Sequence, residues 1–155
     1  MGLLSRLLLS FRPATLNDPE FGRLRYMRVG RDPAKSYWEA EWLFPPTGTR
    51  VSIGLPGTKE GPLLESRAFF LALIPEFERI MTRARPVLDQ VFSEWLGRSL
   101  SVDLWSDVTL AGFGVEDPRT TPLEWDVSFE TTGPKWLGIS IPFVGQQPQE
   151  AVVDT

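Results

Sequence analysis

Between Phe21 and Leu55 apolar and polar residues alternate with the period of two that a half-buried strand requires, and turn residues interrupt the alternation twice. Phe21 to Val29 gives a first strand, ended by Gly30-Arg31-Asp32-Pro33. Ser36 to Phe44 gives the clearest one: Trp38, Ala40, Trp42 and Phe44 share one face, and Glu39 and Glu41 the other. Pro45-Pro46-Thr47-Gly48 reverses the chain into Arg50–Leu55, with Val51, Ile53 and Leu55 inward. The expectation is a three-strand antiparallel meander with one wet face. The turn residues Asn17-Asp18-Pro19 open this globular part.

From Leu63 the spacing of apolar residues becomes helical: Leu64, Ala68, Leu71, Ile74, Phe77, Ile80 with Met81, Ala84, Leu88, Val91 with Phe92, and Trp95. Gly61-Pro62 is the expected start and Gly97 the expected stop. Pro75 falls in mid-helix and Pro86 is expected to begin a second helix. The apolar phase runs through both, which predicts a kinked helix or a closely abutting helix pair. Glu65, Arg67, Glu78, Arg79, Arg83, Asp89 and Glu94 form the solvent face, so the apolar stripe reads as core rather than as a cofactor site.

After Gly97 the period returns to two. Asp107–Val115 is one strand, ended by Glu116-Asp117-Pro118. Leu123–Phe129 is another, with Leu123, Trp125, Val127 and Phe129 inward and Glu124, Asp126, Ser128 and Glu130 outward. Lys135–Ile141 follows a Thr131-Thr132-Gly133-Pro134 turn. The predicted class is α+β: an antiparallel sheet, built from the N-terminal meander and the C-terminal strands, with the helical element packed on one face. The division expected is an N-terminal segment over 1–17, a single domain over 18–145 and a polar tail over 146–155 that frays.

The chain has 155 residues, with 16 Lys+Arg, 20 Asp+Glu, no His and no Cys. Without cysteine there are no disulfides, thiolate nucleophiles or Cys-ligated metals. Without histidine the commonest general base and metal ligand are missing. Charge is unevenly spread: seven basic to three acidic residues over 1–35, seven to eight over 36–100, and two to nine over 101–155. Arg23, Arg25, Arg28, Arg31 and Lys35 form the only basic run, and it reads as the face and turn of a hairpin rather than a phosphate-binding surface. No nucleic-acid partner is expected, and the acidic last third suits a basic protein partner.

The first residues, Met1-Gly-Leu-Leu-Ser-Arg-Leu-Leu-Leu-Ser-Phe11, are too short to span a membrane and are interrupted by Arg6. The Met-Gly start lacks the Ser or Thr at position 6 that myristoylation requires. A short amphipathic helix packed on the domain is the expectation, with a weak membrane-surface anchor over 1–12 as the alternative. The expected address is cytoplasmic.

No glycine-rich phosphate loop and no Ser nucleophile elbow is present, so no catalytic residue, metal site or cofactor is assigned. The residues with reactive potential are carboxylates two apart on strands, Glu39 with Glu41 and Glu124 with Asp126, each pair sharing a face at roughly 7 Å. Neighbouring placement of those strands would gather four or five carboxylates, enough to hold a divalent cation or to raise one pKa. On a wet sheet face the same residues, with Glu130, form an acidic landing surface. Trp38, Trp42 and Trp125 fall on buried faces, whereas Trp105 and Trp136 fit the strands less well and are candidates for exposed contact residues.

Asp18-Pro-Glu-Phe-Gly-Arg-Leu24, Tyr37-Trp-Glu-Ala-Glu, Phe44-Pro-Pro-Thr-Gly48 and Arg67-Ala-Phe-Phe70 resemble a family of small bacterial domains with an Asp-Pro-x-Phe-Gly-x-Leu block and a Trp-Glu strand. No activity is attached to that family, and some of its members resemble immunity proteins that neutralise toxins. The resemblance covers residues 18–97 and carries over no functional residue; the acidic sheet face by itself points to a non-enzymatic binding module. Its binding residues here would be Glu39, Glu41, Glu124, Asp126, Glu130, Trp105 and Trp136. Two alternatives stand beside it: a carboxylate- or divalent-metal-dependent enzyme, and a peripheral membrane protein.

Overall fold

The computed structural model describes residues 14–155, so the expected N-terminal helix or anchor lies outside the described residues. One long helix packs on one face of a ten-stranded sheet, in the order β1-β2-β3-β4-β6-β7-β8-β10, with β5 on β4 and β9 on β8. The strands are β1 (Thr15–Asp18), β2 (Gly22–Met27), β3 (Tyr37–Phe44), β4 (Thr49–Thr58), β5 (Gly61–Pro62), β6 (Val108–Val115), β7 (Glu124–Thr131), β8 (Gly138–Val144), β9 (Gln147–Pro148) and β10 (Val152–Asp154). All pairs are antiparallel except β4 with β6. The helix α1 (Leu64–Val91) lies between those two strands in the chain, as it must, because parallel neighbours need a long crossover. The α+β class, the meander β2–β3–β4 and the three C-terminal strands are as the alternation predicts.

The inward faces build one core. Trp38, Trp42, Phe44, Leu55, Val127, Phe129 and Ile141 are each 2% exposed or less. Phe44 sits at its centre, with ring centroids 5.0 Å from Trp42 and Phe77 and 5.1 Å from Phe113. The Asp18–Leu24 block is part of this framework. Asp18 accepts from the backbone N–H of Glu20 and Phe21 and pairs with Arg67 of α1, Gly22 takes φ +79°, and Phe21 and Leu24 are buried. That motif serves the fold.

Four expectations are corrected. α1 runs continuously through Pro75 and Pro86, so Pro86 starts no second helix. Both prolines are exposed, and each removes one backbone hydrogen bond from the helix. The helix begins at Leu64, because Gly61-Pro62 instead pairs with Gly57-Thr58. Its stripe is also displaced at both ends. Ser66, Phe70 and Leu73 face the core while Leu64 is exposed, and a wide turn at Phe92–Leu96 leaves Trp95 40% exposed before Gly97 closes the helix in the left-handed region. Finally, the tail does not fray: β9 and β10 pair with β8, and Val153 packs on the core.

Candidate functional site

The sheet has two faces of different fate. α1 covers the inner one, and the described residues place no element over the outer one. Register gives the outer face of each strand: Arg23 and Arg25 on β2, Tyr37, Glu39 and Glu41 on β3, Arg50, Ser52 and Gly54 on β4. Across the parallel junction it continues with Thr109, Gly112 and Gly114 on β6, Glu124, Asp126, Ser128 and Glu130 on β7, Gly138 and Ser140 on β8, and Asp154 on β10.

The candidate carboxylates therefore share a face but form no single cluster. β4 and β6 lie between β3 and β7, three strand spacings or roughly 14 Å apart, which corrects the idea that the two pairs meet. Among the described residues no three acidic side chains are grouped so as to hold a metal ion. The two halves also differ in charge. Arg25 lies 3.6 Å from Glu39, Arg50 donates to the Glu41 carbonyl, and Ser52 donates to the Glu41 carboxylate at 2.8 Å, so the β2–β4 half is mixed and internally paired. Strands β6, β7, β8 and β10 contain no lysine or arginine, so Glu124, Asp126, Glu130 and Asp154 stand there without basic neighbours on their own strands.

Asp126 is the most constrained of them. Its carboxylate lies over Gly114, where a Cβ would come within 2.5 Å of Oδ1, and accepts a hydrogen bond from Ser140 at 3.3 Å. Burial raises its pKa, and that hydrogen bond only partly offsets the desolvation. Glycine at 112 is required by the backbone itself, since a Cβ there would meet the Ser52 carbonyl oxygen at 2.3 Å. Trp136 lies against Gly138, the register partner of both Glu130 and Asp154, and remains 49% exposed. It thus joins the acidic half.

Trp105 sits elsewhere, at the lower end of β6. Charged side chains clamp the loop that carries it. Asp107 accepts from Arg98 at 3.0 Å and from the Ser101 N–H at 2.7 Å, Asp89 accepts from the Leu100 N–H, and Arg85 donates to the Ser101 and Val102 carbonyls. The Arg98 guanidinium, with the Ser101 bonds, pulls Asp107 down to about 2. Trp105 stacks on Phe77 at 6.2 Å and is 39% exposed. It lines a hollow of about 900 Å³ shared with Arg50, Ser52, Leu110, Asp126 and Glu130. Two further hollows, of about 820 and 830 Å³, adjoin it across the outer face through Arg50, Tyr37, Gly54 and Gly114.

Sequence reasoning missed Arg25 as the ion-pair partner of Glu39 and Arg50 as a donor to the Glu41 carbonyl, because strand order decides who faces whom. It missed Gly112 and Gly114 as the floor of the outer face, although two glycines at alternate positions of a strand were a signal. Comparison with protein-family models, with curated proteins and with solved structures finds no match.

Proposed function

We propose that the protein is a non-enzymatic binding module whose outer sheet face receives a basic protein partner. The observation that supports this reading is an uncovered sheet half whose strands carry acid without base, with an exposed tryptophan, Trp136, lying on it. Acids steer a basic partner and raise its association rate, while a half-exposed aromatic supplies contact area. Glu124, Asp126, Glu130 and Trp136 are the contacts; Glu39 and Glu41, already engaged by Arg25, Arg50 and Ser52, contribute less. An immunity-type inhibitor of a basic toxin or effector, acting in the cytoplasm, is the form that the family resemblance adds. No helix among the described residues is long and apolar enough to cross a membrane.

The test compares affinity capture from extract by the wild-type chain, by Glu124→Lys with Glu130→Lys, and by Glu76→Lys on the helix face. Partners of the outer face are retained by the helix variant, lost by the sheet variant, and released by salt. Equal retention by all three refutes the reading.

A second reading, a carboxylate-dependent enzyme, is favoured by the raised pKa of Asp126 in a hollow that Glu130 also lines. It requires a hydrolytic activity that both Asp126→Asn and Glu130→Gln abolish without unfolding the protein.

A further inference from the structure

β4 and β6, the parallel neighbours at the middle of the sheet, are paired at only two positions, Ser52 with Gly112 and Ile53 with Phe113. Each continues beyond that junction with its other edge fully engaged, β4 by β3 down to Thr49 and β6 by β7 down to Val108. The edges that face each other, Thr49–Val51 and Val108–Ala111, are unpaired in register, and β6 carries a bulge between Leu110 and Gly112 at this point. The 900 Å³ hollow fills the gap. Its depth is apolar, formed by Phe77, Leu110, Phe113 and Trp105, and its outer wall carries Asp126 and Glu130. Arg50, the basic group on the opposite rim, donates to the Glu41 carbonyl.

We infer that this split in the sheet accepts an extended segment of the basic partner as an added strand between β4 and β6. The segment would alternate basic and apolar residues. Side chains of a strand point to opposite faces in turn, so one set falls into the apolar depth against Phe77 and Trp105 and the other emerges on the acidic outer face. From the inserted position β7 is two strand spacings away, roughly 10 Å, a distance that a lysine or arginine stem spans toward Glu130, the register partner of Thr109. The free edges supply main-chain hydrogen bonds and the depth supplies the apolar contact. The two acids select for positive charge. This inference rests on the basic-partner reading and specifies how the partner is held.

The probe is a capped heptapeptide alternating lysine with valine, titrated into ¹⁵N-labelled full chain and followed by amide shifts. Its controls alternate glutamate with valine and lysine with serine. The expected result is saturable shifts at Thr49–Val51, Val108–Ala111 and the Trp105 indole by the lysine–valine peptide alone. Asp126→Asn with Glu130→Gln weakens binding about tenfold, and Trp105→Ala, at an exposed position, weakens it independently of salt. Shifts confined to the β1 or β10 edges, equal binding of the serine control, or no shift at millimolar peptide overturn the inference. Should those results accompany charge-dependent capture of a partner, the split is not the docking point although the outer face still is.

Discussion

Asp107→Asn isolates the clamp that holds Trp105 at the mouth of the hollow. The carboxylate is 10% exposed and accepts from the Arg98 guanidinium and the Ser101 amide on separate oxygens. An asparagine keeps the shape but can accept only through its single oxygen, so one of the two bonds is replaced by opposed donors. A carboxyl at about 2 in the folded chain against an ordinary 3.8 contributes roughly 2.4 kcal/mol at neutral pH before screening. Arg98 is half exposed, which reduces this to about 1–2 kcal/mol. Because the folded value is the lower one, the contribution is complete above about pH 5 and is lost as pH falls through 3.8 toward 2. Urea unfolding of wild type and variant at pH 7, 5 and 3 measures it. The gap in stability is expected to be largest at pH 7 and 5 and visibly smaller at pH 3. A gap that is constant across the three pH values, or absent at pH 7, refutes the assignment of that stability to the Arg98–Asp107–Ser101 arrangement.

Three further outcomes follow from single positions. Phe44→Ala, at a fully buried ring touching Trp42, Phe77 and Phe113, is expected to cost about 3–5 kcal/mol in urea unfolding. Gly112→Ala is expected to weaken the β4–β6 junction, because the Ser52 carbonyl oxygen stands where the methyl would go; faster hydrogen exchange at Ser52 and Ile53 than at Ala40 and Trp42 would report it. Asp126→Asn is expected to stabilise the chain at pH 7 and to lose that advantage near pH 3. A carboxyl whose folded pKa is raised by burial favours the folded state only when protonated, so wild type gains as pH falls. A destabilised Asp126→Asn at pH 7 would show that the carboxylate is part of the fold rather than held at the fold's expense.

The alternation in Ser36–Phe44, Arg50–Leu55 and Leu123–Phe129 determined which side chains are buried, because a strand beside one core has no other way to hide its apolar half. It determined equally that Glu39, Glu41, Glu124, Asp126 and Glu130 lie on the other side. The helix from Leu64 onward was legible for the same reason, although Pro86 does not divide it: each proline forgoes one backbone hydrogen bond, and the apolar face that continues through both positions holds a single helix on the core. The tail was misread because three residues of β10 have no period to detect; they are ordered by β8, a partner that sequence does not place beside them. What sequence left open was strand order, and function depends on it. Placing β4 and β6 at the centre kept the carboxylate pairs apart, set Arg25 and Arg50 in the half that holds Glu39 and Glu41, and left no lysine or arginine on the strands beside β7. Local pattern assigns a residue to a face; only the long-range pairing of strands decides its neighbours on that face.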